Sequence, residues 1–291
     1  MKKLLMIINN QSGLSNSKAG LLDAMDVFCG HGYDVTTYIT QCKNDAYEYL
    51  KKNRVKYEIV CAFGGDGTLN EVSNALMTKK DKPKIGYFPS GTMNDFGSNF
   101  QLGNDFKDIA LRICEGEEHV FDVGLCNDKY FNYVAAFGAL CDVPYTTSRE
   151  AKKTFGTLAY FAEGLSKLDT IKPIKALVSV NGKTKEMKLL FGLIFSGGRV
   201  AGQQILSKSK SRMDDGQFNI LLVEYVDTPI LELPDLLAVL TQQSKYLHKY
   251  KASEINIEFK DKVNWTLDGE EAKLSDKVAI KNIQEALTLK A

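Results

Sequence analysis

The 291-residue chain is short of the features that mark several functional classes. Lys+Arg number 37 against 36 Asp+Glu, so neither sign of charge is in excess, and no basic run is long enough to act as a nucleic-acid arm. That balance excludes nucleic acid as the expected partner. Histidine occurs only at 31, 119 and 248, positions without metal-ligand spacing. The six cysteines (29, 42, 61, 114, 126 and 141) form no C-x-x-C pair and lie among apolar residues. This usage excludes a structural zinc or a disulfide framework and is that of buried thiols in a reducing, cytoplasmic compartment. No apolar stretch is as long as a membrane span. The start, Met1 to Asn9, has an apolar stretch of five residues with no small-residue cleavage site after it, which makes it a first strand rather than a signal peptide. Internal repeats, low-complexity tracts and Pro/Ser-rich linkers are also missing.

What is present is a chain long enough for two domains, able to bury roughly three quarters of its unfolded surface. The first hundred residues alternate strand and helix. Leu4–Ile8, Tyr33–Ile39, Tyr57–Phe63 and Ile85–Phe88 read as strands. Between them, the stripe Leu21, Leu22, Met25 and Phe28 ends at Gly30, Ala46–Lys52 is a short helix, and Leu69, Val72 and Leu76 share a helical face. Such alternation predicts parallel βαβ units, whose ligands bind at the carboxyl ends of the strands. From about Val120 the pattern turns antiparallel. Strands are expected at Phe121–Cys126, Tyr130–Phe137, Ile174–Val180, Leu189–Ser196, Phe218–Val226, Ile255–Lys260, Val263–Leu267 and Val278–Ile283, with a hairpin at Asn181-Gly182. Helical inserts are expected over Gly156–Leu168 and Leu231–Tyr246. The fold class is thus an α/β N-terminal domain with a doubly wound parallel sheet (1–122, with the tail 284–291 returning to it) and a β-rich antiparallel sandwich (123–283). A cleft between the two is the expected site.

Gly64-Gly65-Asp66-Gly67-Thr68-Leu69-Asn70-Glu71 puts three glycines and a bare carboxylate at the mouth of a helix, directly after an apolar strand. Backbone N–H groups and the positive end of the helix dipole at such a loop favour phosphate. A carboxylate there is repelled by a triphosphate unless a divalent cation lies between them or the carboxylate handles a proton. The combination points to a nucleotide-using phosphotransferase. Pro89-Ser-Gly-Thr92-Met-Asn94-Asp95-Phe96 and Asn10-Gln-Ser12-Gly13 also follow parallel strands, so all three loops gather on one edge of the sheet. Asp95 reads either as a helix cap or, paired with Asp66, as a second anchor for Mg²⁺. Asp268-Gly269-Glu270 reads as a hairpin turn between Val263–Leu267 and Val278–Ile283, or as a carboxylate offered as general base to a substrate hydroxyl. Asp214-Asp215-Gly216 is a turn or, through Asp215 and nearby carbonyls, a structural cation site.

Two look-alikes fall away. Gly182-Lys183-Thr184 imitates the end of a Walker A sequence, but Leu177 stands where glycine is needed. Gly65-x-Gly67-x-x-Asn70 lacks the third glycine of a dinucleotide fingerprint.

Together, Gly64 to Val72, Pro89 to Phe96 and Asp268-Gly-Glu270 resemble the soluble bacterial diacylglycerol kinase family of lipid kinases, related to the diacylglycerol, sphingosine and ceramide kinases. The resemblance spans nearly the whole chain. It implies an ATP-binding α/β domain of the NAD kinase and phosphofructokinase type, a β-rich lipid domain, and Mg²⁺-dependent phosphorylation of a lipid alcohol, diacylglycerol to phosphatidic acid first among them. Carried over to this chain, it implies that Asn10, Ser12, Gly13 and Thr40 contact nucleotide, together with the phosphate loop Gly64, Gly65, Gly67, Thr68, Asn70 and Glu71, and with Thr92 and Asn94. Asp66 and Asp95 are implied as the catalytic Mg²⁺ network. Glu270, with Asp268 beside it, is the implied proton acceptor, a role that Asp66 takes in a sphingosine-kinase-like assignment. Asp215, with the carbonyls of Met213 and Gln217, resembles a second, structural Mg²⁺ site. Gln11 replaces the family's usual proline, Leu14-Ser15-Asn16 a more glycine-rich continuation, and Ser196 a common asparagine.

The implied enzyme meets its lipid at the membrane surface, peripherally on the inner face. Arg149 to Phe155, with Tyr160 and Phe161, reads as an interfacial element or as ordinary helix packing. Alternatives of other classes are a kinase of a soluble metabolite, which shares the glycine–aspartate loop, and a non-catalytic lipid-binding regulator. An exposed edge of the β-rich half allows a homodimer.

Overall fold

The computed structural model describes residues 2–9, 18–53, 55–142, 172–207, 212–225 and 246–291. Its elements in chain order are β1 (Lys2–Asn9), α1 (Lys18–Gly30), β2 (Tyr33–Thr40), α2 (Asp45–Lys52), β3 (Ile59–Gly64), α3 (Asp66–Met77), β4 (Lys84–Pro89), α4 (Asp95–Asn99) and α5 (Phe106–Glu115). There follow β5 (Glu118–Cys126), β6 (Lys129–Phe131), β7 (Val134–Gly138), α6 (Ala139–Asp142), β8 (Ile174–Val180), β9 (Lys183–Phe195), β10 (Arg199–Val200) and β11 (Gln203–Gln204). The last are β12 (Phe218–Glu224), β13 (Leu247–Ala252), β14 (Glu254–Phe259), β15 (Trp265–Leu267), β16 (Glu270–Ala272) and β17 (Lys277–Lys290). The chain divides into two units, Met1–Val123 with Gln284–Ala291, and Gly124–Ile283.

In the first unit the strands run in the order β4-β3-β1-β2, all parallel. Leu4, Met6 and Ile8 of β1 enter a core with Phe28 of α1 and Ile109 and Ile113 of α5. Leu5 and Ile7, of opposite parity, are equally buried. A strand buried on both faces must read as a continuous apolar run, which is why Leu4 to Ile8 of β1 and Ile59 to Phe63 of β3 carry no charged or amide side chain. The order reverses between β1 and β3, so the crevice at their carboxyl ends is the topological switch point where ligands of such sheets bind. The chain's last residues return to this unit. Leu289 pairs with Ile85 of β4, and the Ala291 N–H donates to the Glu117 carbonyl at 3.1 Å.

The second unit is antiparallel. Its strands follow the order β16-β15-β7-β9-β8-β14, with residues 277–281 of β17 paired to β14 and with β12 joining β9 to β13. Its core gathers Phe131, Phe137, Leu189, Ile194, Phe218, Ile255, Phe259 and Trp265. Asn181 and Gly182, at φ 51 and 71, form the two-residue turn from β8 to β9, the geometry that matches strand twist.

Three expectations are corrected. Tyr130–Phe137 is two strands, β6 and β7, interrupted at Asn132-Tyr133. The partner of β15 across Asp268-Gly269 is β16, with Leu267 opposite Glu270, rather than the later strand. The segment read as Val278–Ile283 extends over Lys277–Lys290. The helices expected over 156–168 and 231–246 fall outside the described residues, apart from Tyr246, and so does the interfacial segment 149–161. Among the described residues no helix is long and apolar enough to cross a membrane.

Candidate functional site

The first unit brings its chemistry together at the switch point. Asn9, the last residue of β1, donates from Nδ2 to Thr68 Oγ1 at 3.0 Å, tying the end of one strand to the first turn of the helix that follows another. The loops after β3 and β4 touch through glycine. The Ser90 N–H donates to the Gly64 carbonyl at 2.9 Å, and a Cβ on Gly91 would sit 2.6 Å from Gly65 Cα. No side chain fits at that approach, which explains the glycine in both loops.

Asp66 opens α3 and is half-buried. Its Oδ2 accepts the Asp95 N–H at 3.1 Å, and its Oδ1 accepts the Phe96 N–H at 3.3 Å and the Tyr87 hydroxyl at 3.4 Å. One carboxylate thus spans from the start of α3 to the start of α4. Asp95 itself is buried, at 1 % exposure. Burial pushes the Tyr87 phenol well above its ordinary range, and the charges of Asp66 and then Asp95 push it the same way. Both acids therefore lie within electrostatic reach of one phenol. Two neighbouring carboxylates provide the hard oxygen donors that Mg²⁺ takes alongside phosphate oxygens and water, so these residues fit that ion.

Several sequence-singled residues have structural partners here. Asn94, at φ 51, accepts the Gly91 N–H through Oδ1 and donates from Nδ2 to the Gly91 carbonyl, both at 2.9 Å. Its side chain shapes the loop that presents the exposed Thr92. Glu71 reaches back to α2, accepting the N–H groups of Asn44 at 2.6 Å and Ala46 at 3.1 Å. Thr40 donates to the Ile8 carbonyl at 3.4 Å, at the end of β2. Asn70 accepts from Asn74 Nδ2 through its carbonyl at 2.9 Å. Gly65 is the residue before α3, and Gly67 lies half-buried in its first turn. Asn10, Ser12 and Gly13 lie outside the described residues.

Asn9 and Asp122 lie outside the motifs that the sequence singles out. Asn9 closes β1 directly before Asn10. Asp122, buried at 1 %, accepts the Glu285 N–H at 2.9 Å, and Phe121 beside it packs on Phe96 with ring centroids 5.0 Å apart. A lone carboxylate inside the apolar run Phe121 to Leu125 was the available signal.

In the second unit, Asp268 and Gly269 form the β15–β16 turn at φ 49 and 83. The Asp268 carboxylate is buried and accepts three backbone N–H groups: Asn132 at 2.6 Å, Tyr133 at 3.0 Å and Val134 at 3.1 Å. It holds the break between β6 and β7. Glu270, two residues on, is exposed. Asp215 accepts the Gln217 N–H at 3.1 Å and pairs with the Lys251 ammonium at 2.7 Å; Met213 is buried. Arg212 grips Asp214 through Nε and Nη2 at 2.9 and 3.2 Å, which holds that carboxyl below the usual range. A lysine against the only carboxylate of the set does not suit a divalent cation, so the residues at Asp215 do not fit a structural Mg²⁺ in this arrangement. Among the described residues no cluster of three or more His, Cys, Asp or Glu side chains is arranged to hold a metal.

The architecture is shared with solved structures. A crystal structure assigned to the diacylglycerol kinases, from Bacillus anthracis str. Sterne, superposes with a TM-score of 0.82 over 99% of this chain and 95% of its own, at 21% identity. A second from the same organism gives 0.78 over 99% and 96%, at 19% identity. These likenesses establish the fold, an NAD kinase-like α/β unit followed by a large antiparallel sheet. Sequence carries the assignment further. A sequence model of the diacylglycerol kinase catalytic domain matches residues 3–126. The diacylglycerol kinases of Staphylococcus aureus strains bovine RF122 / ET3-1 and MRSA252 are each 32% identical over 276 residues, covering 92% of this chain and 86% of theirs. The chain belongs to the bacterial diacylglycerol kinase family of lipid kinases.

Proposed function

We propose that this protein transfers the γ-phosphoryl group of ATP to the hydroxyl of a lipid alcohol, with diacylglycerol as the first acceptor and phosphatidic acid as its product. The observation that carries the reading is the Asp66 carboxylate, fixed by two backbone N–H groups at the end of a glycine loop, beside the buried Asp95. Phosphoryl transfer through a loose transition state demands that the phosphates be held and neutralised and that the acceptor oxygen be oriented. The N–H groups at the start of α3 hold phosphate. Asp66 and Asp95 would hold Mg²⁺, which supplies charge neutralisation of the phosphate oxygens. Exposed Glu270 is the candidate to take the proton of the acceptor hydroxyl, with Asp66 as the alternative base. Asp268 is better read as the residue that shapes the turn bearing Glu270. A cytoplasmic protein that visits the inner face of the membrane from the water side is the arrangement this reaction needs.

The test is transfer of labelled γ-phosphate from ATP to a panel of lipids in mixed micelles with Mg²⁺, wild type beside Asp66→Asn. Label entering diacylglycerol with wild type alone supports the reading. Label entering a soluble acceptor, or lipid binding without consumption of ATP, replaces it with a metabolite kinase or a lipid-binding regulator.

A further inference from the structure

The catalytic carboxylate is held by one side chain that the sequence motifs do not include. Tyr87 lies on β4, two residues before the loop of Asp95, and is wholly buried. Its ring packs edge-on against Phe96 at 6.0 Å between centroids. A Cβ on Gly97 would come within 3.2 Å of Tyr87 Cε1, so the glycine leaves room for the ring beneath α4. A buried phenol must find an acceptor, and the hydroxyl meets Asp66 Oδ1. The same oxygen accepts the Phe96 N–H, while Oδ2 accepts the Asp95 N–H. Two backbone donors on different oxygens fix the carboxylate at one edge. The phenol approaches from the strand below and opposes rotation away from them.

We propose that Tyr87 is a positioning residue for phosphoryl transfer: locked under α4, its hydroxyl keeps the Asp66 carboxylate in the rotamer that faces the phosphates. The role in turnover rests on the kinase reading given above; the hold on the carboxylate does not. Without the hydroxyl the ring still fills its place, so Tyr87→Phe preserves the packing and removes only the phenol's contact with Asp66.

Two measurements on Tyr87→Phe decide it. Amide hydrogen exchange, with neither nucleotide nor lipid present, should speed up at Asp95 and Phe96 by about tenfold and leave β3 and α3 unchanged, because only the contacts to Asp66 loosen. In the Asp66→Asn background the same substitution should have no further effect on those two amides. In the lipid assay, kcat should fall on the order of tenfold with KM for ATP within about twofold of wild type. Unchanged exchange at Asp95 and Phe96, or a uniform acceleration across the unit, overturns the proposal; so does a fall in kcat matched by an equal rise in KM. If wild type phosphorylates no lipid, the kinase reading is what has failed, and the exchange data still decide whether Tyr87 holds Asp66.

Discussion

Asp66 and Asp268 stand in the same local sequence, an aspartate followed by glycine, each in the unit where the motifs placed it, and their carboxylates meet different surroundings. Asp66 starts a helix, stays half-buried, and takes its two backbone donors from a second helix start. Asp268 occupies a tight turn at φ 49, is buried, and takes three backbone donors from a break between strands. A carboxylate with water on one side can exchange a water for a cation or a phosphate-bound metal. A carboxylate enclosed by N–H groups has no such freedom, and its charge is spent on holding backbone that would otherwise be unsatisfied. The element that supplies the backbone donors and the water left on one side, rather than the motif, separate these two aspartates.

The largest effect expected from this contrast is on turnover. Asp66→Asn should lower kcat by at least about a thousandfold, roughly 4 kcal/mol of barrier, in a variant that still folds. A purified variant that turns over at a near-normal rate removes Asp66 from the chemistry. Asp268→Asn should do the reverse. Its amide can still accept from Tyr133 and Val134, but the NH₂ faces the Asn132 N–H at the closest of the three contacts. We expect a loss of about 2–4 kcal/mol in urea unfolding, with residual activity following the folded fraction. A thousandfold loss of kcat in a variant of native stability would reassign Asp268 to catalysis.

The two residues also show how far the sequence was readable. The βαβ alternation of the first unit could be read because each buried strand declares itself locally, as Ile59 to Phe63 does. The glycine loops were legible for the same reason: the constraint and the residue that answers it are adjacent. The break in Tyr130–Phe137 was not, because its cause, the Asp268 carboxylate, lies 136 positions away from Asn132. Strand β16 was hidden by its composition, Glu-Glu-Ala, with two exposed acids and no apolar alternation. In β17 the alternation that runs through Val278 and Ile280 is broken at Glu285, which adopts φ 49 where Asp122 holds its N–H. Glu71 reads as part of a phosphate loop, and two of its contacts reach N–H groups 25 and 27 positions earlier. Long-range polar contacts leave no local periodicity to read.

Glu71 extends the comparison to a half-buried carboxylate that accepts two N–H groups at the start of another helix. Glu71→Ala strips the N–H partners of Asn44 and Ala46 and should cost about 1 kcal/mol of stability, the usual worth of a helix cap, with little change in KM for ATP. A rise of tenfold or more in that KM at unchanged stability would return Glu71 to the phosphates.

The smallest expected effect lies at Glu115, whose carboxylate is largely exposed and meets His31 Nε2 at 2.8 Å. His31 Nδ1 lies 2.7 Å from the Val27 carbonyl. Both ring nitrogens face acceptors, and only the imidazolium carries a proton on each, so the site favours the charged ring. The hydrogen bond to Glu115 raises the pKa of His31 above its ordinary value, the Val27 carbonyl adds to the rise, and the slight burial opposes it. A folded pKa above the unfolded one makes the contribution full below about pH 6.5 and lost as pH climbs through the folded value. The difference in urea midpoint between wild type and His31→Gln should therefore be present near pH 6 and gone by about pH 9. The same loss should follow from Glu115→Gln. A difference that holds constant across that range would mean the ring contributes by packing between α1 and α5, and the carboxylate series would end at Glu71.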